Sequence, residues 1–118
     1  MGELRDGYIT GTGAFLPGAP VSNDAMENHL GRIAGRDSLF GKKALRWNGV
    51  ESRHYALAPD GAVSHSNAQM CAEAVRTALE AAQLDPRDLA MLAAATTQGD
   101  LLTPGHAAQV HAEIGGRA

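Results

Sequence analysis

Cys71 is the only cysteine in this chain of 118 residues, so any nucleophilic chemistry through sulfur would start there. A reactive thiolate needs a helix N-terminus or a cationic neighbour to stabilise its charge. Cys71 instead falls on the apolar stripe of a predicted helix, more than one turn beyond the helix start. Free cysteine in that setting usually packs as a small hydrophobic side chain. The pattern therefore predicts that Cys71 is inert.

The histidines lack the spacing of a metal site or a catalytic triad. His106 and His111 are five residues apart and turn to different faces of a helix, whereas paired ligands favour a separation of four. The chain has no CxxC or HExxH motif, and the other histidines are scattered: His29, His54 and His65. We therefore expect no metal site and no triad.

The glycines of Gly11-Thr12-Gly13 follow a run of β-forming residues, which is one part of a dinucleotide-binding fingerprint. Position 16 is Leu16 rather than glycine, and Pro17 stands where the phosphate-binding helix would begin. A small nucleotide-binding α/β domain is therefore only the weaker alternative. We expect instead a tight segment in which glycine permits close backbone packing.

Composition excludes several classes of function. Ten Lys+Arg against thirteen Asp+Glu give a net charge of -3, and the basic residues cluster only in one short run: Lys42, Lys43 and Arg46. This is too little positive charge for a nucleic-acid surface. No window approaches the roughly 20 apolar residues of a membrane span, and residues 1–6 contain no apolar targeting segment. The single cysteine excludes an internal disulfide, so we expect a cytoplasmic, globular protein.

Local patterns predict alternating strands and helices. The clearest is a helix at 66–83, where Ser66-x-x-Gln69 is a capping box and apolar residues recur at helical spacing. We expect a turn at Pro59-Asp60-Gly61, a solvated turn around Asp85, Arg87 and Asp88, and an anchoring role for Arg53 and His54. The remaining predictions are a strand at 8–16, a short helix ending at Gly31, an extended segment at 53–57, a strand at 89–97, and a helix capped by Thr103.

This order indicates an α/β fold with a mainly parallel sheet covered by helices. Only two convincing strands are predicted, at 8–16 and 89–97, which is fewer than such a sheet normally contains. We therefore expect strand edges and apolar faces that these residues leave uncovered.

Three blocks of residues carry a family resemblance. They are Ile9-Thr10-Gly11-Thr12-Gly13-Ala14-Phe15-Leu16-Pro17, then Asn48-Gly49-Val50-Glu51-Ser52-Arg53-His54, then Ala94-Ala95-Thr96-Thr97 followed by Pro104. In order and spacing they resemble the N-terminal portion of the β-ketoacyl-acyl-carrier-protein synthase III family of the thiolase superfamily. The resemblance implies that residues 1–118 are the incomplete N-terminal half of a thiolase fold, usually found as a homodimer.

The same resemblance implies an acyltransferase. Such enzymes join an acyl group to a malonyl unit on an acyl carrier protein with loss of carbon dioxide, as in fatty acid or polyketide-like biosynthesis. Coenzyme A or carrier-protein phosphopantetheine carries the acyl thioester. The family's catalytic cysteine, histidine and asparagine correspond to positions beyond Ala118, so no catalytic residue is expected here and the chain alone should be inactive. A non-catalytic dimerising or scaffolding module of the same fold is the alternative.

Two departures from the family concern the substrate. Members primed by acetyl coenzyme A often carry Asp-Glu-Trp and an arginine where this chain has Lys42-Lys43-Ala44-Leu45-Arg46-Trp47. Trp47 stands at the position of that arginine, and this departure argues against priming by acetyl coenzyme A. Arg46 and Trp47 are still able to contact a pantetheine arm or an adenine ring. Thr103 replaces the bulky residue that often closes the acyl pocket, which implies a longer or bulkier donor. Ser66-Asn67-Ala68-Gln69 and Pro104-Gly105-His106-Ala107 resemble the branch that makes dialkylresorcinols and related aryl products.

Overall fold

The computed structural model describes residues 6–38 and 41–115, which form two compact units. Residues 6–15 and 67–115 make the helical unit, and Leu16–Ser66 makes the hairpin unit, apart from positions 39 and 40. The predictions for residues 1–5 lie outside the described residues. The elements are strands β1 (Val21–Ser22) and β2 (Ser52–Arg53), helices α1 (Met26–Leu30), α2 (Gly41–Trp47), α3 (Asn67–Ala82) and α4 (His106–Ile114), and a 3₁₀ turn at Pro86–Asp88.

The core of the helical unit lies between α3 and α4. Ala68 and Ala72 of α3 pack against Val110 and Ile114 of α4, and all four are buried. Each pair is four residues apart and therefore lies on one face of its helix. The side chains packed around this cluster are Cys71, Val75, Leu89 and Leu92. The helix predicted at 66–83 and the packing of Cys71 against its apolar neighbours are both confirmed.

Helix α3 is followed directly by Gln83, a non-glycine residue in the left-handed conformation. Gln83 has φ of 57°, its N–H donates to the carbonyl of Glu80 at 3.1 Å, and the N–H of Leu84 donates to the carbonyl of Leu79 at 3.0 Å. These two bonds form a Schellman motif, which satisfies carbonyls that the helix leaves unpaired. Pro86 follows three residues later, where a continued helix would need its missing N–H.

Gly11 and Gly13 bring their segment against the backbone of α3. A Cβ atom on Gly13 would lie 2.5 Å from the Ala78 nitrogen, and one on Gly11 would lie 2.9 Å from the Ala82 nitrogen. Any side chain at either position would therefore overlap the helix. The expected close backbone packing is confirmed, and no helix follows Gly13 to bind a phosphate, because residues 14–20 are not helical.

The strand predictions at 8–16 and 89–97 are wrong for the described residues, because neither segment is paired into a ladder. A strand depends on hydrogen bonds to a neighbouring strand, which apolar patterning alone does not supply. The expected uncovered apolar surface is present: Tyr8, Ile9 and Met91 are 82%, 88% and 81% exposed. The sheet that does form is antiparallel rather than parallel, and it pairs β1 with β2 in the hairpin unit.

Contacts from the second motif block hold the hairpin unit together. Val21 pairs with Arg53, and the Arg53 guanidinium donates to Asn23 Oδ1 at 3.1 Å. Asn23 Nδ2 in turn donates to the Val50 carbonyl at 2.5 Å. His54 Nδ1 lies 3.1 Å from the Gly18 carbonyl. The predicted anchoring role of Arg53 and His54 is therefore confirmed.

The turn predicted at Pro59-Asp60-Gly61 is observed. Gly61 has φ of 86° and donates its N–H to the Ala58 carbonyl at 2.9 Å, which closes the turn around Pro59 and Asp60.

The extended segment predicted at 53–57 is shorter in the structure, since only Ser52–Arg53 is a strand and Leu57 forms an isolated bridge with Val63. Gly31 ends α1 with φ of 85°, as predicted. Helix α2, at Gly41–Trp47, was not among the predicted elements.

The turn at Pro86–Asp88 is capped by its own charges. Asp85 accepts from the Arg87 backbone N–H at 2.9 Å, and Asp88 accepts from the Asp85 N–H at 3.1 Å, which completes a capping box. The Arg87 side chain also donates to Asp85 and holds the pKa of that carboxyl well below its usual range. Asp85, Arg87 and Asp88 form a turn, as predicted.

The start of α4 differs from the prediction. Thr103 does not cap the helix and Pro104 is not its first residue, because Gly105 is the N-cap and His106 begins the helix. An N-cap residue has an extended backbone, and Gly105 adopts this conformation with φ of -61° and ψ of 159°.

Within residues 6–38 and 41–115, no helix has the length and apolar character that a bilayer crossing requires.

Gly13→Ala should destabilise the protein by about 1–3 kcal/mol, because the added methyl group would overpack the contact with α3. Gly7→Ala is the matched control, since a Cβ there meets no atom within 4 Å. Urea unfolding of the protein measures both changes. Equal midpoints for the two variants would show that close approach to α3 does not limit stability.

Candidate functional site

The first two residues implied by the family resemblance lie side by side at the end of α2. Arg46 is exposed in the last helical turn, where a positive charge is favourable next to the helix C-terminus. Trp47 is 78% exposed, and the Lys43 ammonium lies 4.9 Å from the centre of its ring. Such a cation–π contact restrains the ring without covering it. The end of α2 thus presents an accessible aromatic face beside two positive charges.

Thr103, the third implied residue, belongs to the helical unit and lies in the segment before α4. Thr103 is exposed, and its neighbours Leu101 and Leu102 are 58% and fully exposed. The peptide bond between Thr103 and Pro104 is cis. On the helix side, Gln109 Nε2 donates to the Pro104 carbonyl at 2.7 Å. Thr103 is therefore presented at the surface by a segment that a polar contact ties to α4.

Asp100 ties the other end of this segment to the start of α3. One carboxylate oxygen accepts the backbone N–H of Asn67 at 2.8 Å, and the other accepts the N–H of Ala68 at 2.8 Å. The first N–H groups of a helix have no partner within the helix, and their partial positive charge favours an anion. A side chain more than 30 residues away in sequence thus serves as the acceptor for the first turn of α3.

Asn67 reinforces this connection with its own side chain. Its Nδ2 donates to Thr96 Oγ1 at 2.8 Å and to the Gln98 carbonyl at 2.5 Å. Gln98 N–H also lies 3.3 Å from Thr96 Oγ1, which closes the turn between them. Residues 96–100 are therefore held at several points on the N-terminus of α3.

These contacts hold the pKa of Asp100 below its usual range. The hydrogen bond from the Ala68 N–H contributes most, followed by that from the Asn67 N–H, with a smaller contribution from the charge of His106. Each favours the ionised carboxylate, and they outweigh the opposing effect of desolvation. Among the described residues, His106 Nδ1 is shielded from solvent and has no hydrogen-bond partner.

The structure brings Arg46 and Trp47 together on one helix and places Thr103 in the other unit. Sequence reasoning missed Asp100 and the side chain of Asn67. The sequence predicts a local cap by Ser66 and Gln69 at the start of α3. A distant carboxylate can bind other N–H groups of the same helical turn. Chain spacing alone does not identify such a partner.

Stability should depend on pH through Asp100. Its pKa is lower in the folded than in the unfolded state, so its contribution is complete above the unfolded value and is lost as pH falls through the folded value. The stability difference between wild type and Asp100→Asn should be largest near neutral pH and shrink in acid. Urea unfolding across pH checks this, and added salt should reduce the difference because Asp100 is exposed.

Asp24→Asn is the matched control, because Asp24 is an exposed carboxylate in the turn before α1. This variant should keep the pH profile of the wild type. A stability difference for Asp100→Asn that stays constant from neutral pH to acid would contradict the proposed electrostatic contact.

Known proteins resemble this chain over most of its length. The β-ketoacyl-acyl-carrier-protein synthase III of Methylococcus capsulatus is 34% identical over 114 residues, which is 97% of this chain and 32% of the relative. The enzyme of the same name from Sphingopyxis alaskensis is 33% identical over 111 residues, or 94% of this chain and 31% of the relative. The chain thus spans about a third of the curated relatives it matches. No family model matches it.

The structure supports the same grouping. A solved tetronic acid condensing enzyme, AbyA1, aligns with a TM-score of 0.71 and 25% identity over 92% of this chain and 32% of that enzyme. The chain therefore has part of the thiolase-like fold of condensing enzymes, as its motif blocks predicted. More particularly, it is homologous to about one third of the β-ketoacyl-acyl-carrier-protein synthase III chain.

Proposed function

We propose that this chain is part of a ketosynthase III-like acyltransferase that catalyses a decarboxylative condensation. In this reaction an enzyme thiolate attacks an acyl thioester and releases the carrier thiol. A malonyl-type carrier-protein thioester then loses carbon dioxide, and the resulting carbanion attacks the acyl-enzyme and expels the thiolate. The carriers would be coenzyme A or phosphopantetheine, and the partner an acyl carrier protein.

The observation that carries this proposal is similarity over nearly the whole chain to condensing enzymes, in sequence and in fold. The chemistry of the described residues is consistent with it. Cys71 lies beyond the first turn of α3 and packs against the α3–α4 core, which is unsuitable for an attacking thiolate. We expect the nucleophilic cysteine and the histidine and asparagine that promote decarboxylation outside these 118 residues.

Covalent acylation tests the proposal. The full-length protein should gain one acyl group per chain from an acyl thioester, as measured by intact-mass spectrometry, whereas the 118-residue chain should gain none. Cys71→Ser in the full-length protein should leave loading unchanged, because this partly buried side chain packs against the α3–α4 core and is not the proposed nucleophile. Peptide mapping then locates the modified cysteine.

Two outcomes would contradict the proposal. Acylation of Cys71 would overturn the assignment of roles within the chain. A full-length protein that is never acylated would favour the alternative of a non-catalytic dimerising or scaffolding module. Sedimentation of the same sample would test the expected homodimer independently of catalysis.

Within the proposed reaction, Arg46 and Trp47 are the residues of this chain that meet the carrier. The indole face of Trp47 is exposed and flat, so it suits stacking on an adenine ring, while the Arg46 guanidinium suits a phosphate. Adenine belongs to coenzyme A and is absent from carrier-protein phosphopantetheine. The effect of removing Trp47 therefore depends on which carrier delivers the acyl group.

Trp47→Ala should raise KM about tenfold for a coenzyme A thioester, because base–aromatic stacking contributes on the order of 1–3 kcal/mol. The same acyl group on a carrier protein should show little change. Trp47→Phe is the control that keeps an aromatic face, and acyl-transfer kinetics measure each variant. An equal loss with both carriers would exclude adenine stacking and indicate contact with the shared pantetheine arm.

A further inference from the structure

The segment that carries Thr103 has little packing of its own. Leu101 and Leu102 are exposed, Thr103 is exposed, and the preceding residues 95–100 are exposed as well. Apolar burial therefore does not fix this part of the chain, and its position must depend on directional contacts at its ends.

Those contacts flank Thr103 closely on both sides. Asp100, three residues before it, binds two N–H groups at the start of α3, and Pro104, one residue after it, accepts from Gln109 of α4. Three residues extend at most about 11 Å, so the α3 contact restricts where Thr103 can lie. α3 and α4 pack through a buried core, so both attachment points are rigid.

The α3 contact is the stronger of the two by its chemistry. It joins an ionised carboxylate to two N–H groups that carry the positive end of the helix dipole, and such charge-assisted bonds are about twice as strong as neutral ones. Asn67 adds two bonds from the same helix turn to Thr96 and Gln98. Several hydrogen bonds to the start of α3 thus fix the position of residues 96–100, although these residues are exposed.

We infer that Asp100 and Asn67 are positioning residues that set the acyl-chain preference of the enzyme by holding Thr103 in place. The inference rests on the proposed function and on the position that the family resemblance implies for Thr103, at the wall of the acyl pocket. If Thr103 is held in a fixed position, the pocket admits acyl chains only up to a certain length. If the contacts of Asp100 or Asn67 are lost, Thr103 can move and longer acyl chains can bind. The preference therefore depends on contacts that never touch the substrate.

The test is acyl-chain selectivity in the full-length protein, measured as the ratio of kcat/KM for a long and a short acyl thioester. A variant that merely reduces the folded fraction lowers both values equally and leaves the ratio unchanged. Asp100→Asn retains one acceptor oxygen but points an amide donor at the other N–H. It should shift the ratio about tenfold towards the longer donor, since small displacements of positioning groups have effects of this order or larger.

Two further variants complete the design. Asn67→Ala removes the bonds to Thr96 and Gln98 and should shift the ratio in the same direction, which keeps the inference testable if Asp100→Asn does not fold. Asp24→Asn makes the same chemical change at an exposed carboxylate in the hairpin unit and should leave the ratio unchanged.

Thr103→Phe separates the inference from the function it rests on. This bulkier residue should favour the shorter donor if Thr103 lines the pocket. A shift for Thr103→Phe with none for Asp100→Asn or Asn67→Ala would overturn the positioning role and leave the proposed function intact. A wild-type protein that accepts no acyl group would refute the proposed function, and the selectivity role would fall with it.

Discussion

Access to the surface of α3 is the constraint on which the helical unit depends. Alanines lie at the two main contacts of α3, so Val110 and Ile114 of α4 reach Ala68 and Ala72, and the glycine segment reaches the backbone near Ala78. A larger side chain at any of these contacts would push its neighbour outward, because protein interiors have little free volume. Gly11 and Gly13, which resemble part of a nucleotide-binding loop in sequence, are explained by this packing.

The first turn of α3 adds a polar counterpart to this apolar packing. Its N–H groups are bound by Asp100, and the side chain of Asn67 extends the contact to residues 96–98. One helix therefore organises three parts of the unit: the glycine segment, α4, and the segment before α4 that carries Thr103. In the proposed enzyme this helix positions a wall of the substrate pocket while contributing no catalytic group.

Sequence patterning predicted the helices better than the strands. A helix forms its hydrogen bonds within one segment of the chain, so the helical spacing of apolar residues from Ala68 to Ala82 was sufficient to predict it. α3 is present as predicted. A strand needs a partner, so the apolar run at 89–97 could not reveal whether a neighbour would pair with it. The N-cap of α4 is Gly105 rather than the predicted Thr103. Capping preference is a weak local signal, and tertiary contacts can override it.

By itself, the sequence determined the helical period of α3, the turn at Pro59-Asp60-Gly61, the packing of Cys71 among apolar neighbours, and the likeness to condensing enzymes. Each of these depends on neighbouring residues or on short ordered blocks. Only the tertiary structure decided that Asp100 binds the start of α3, that Arg53 reaches Asn23, and that Gly13 meets Ala78. These contacts join residues 30 to 65 positions apart, and side-chain chemistry alone does not specify which distant donor or surface a residue will meet.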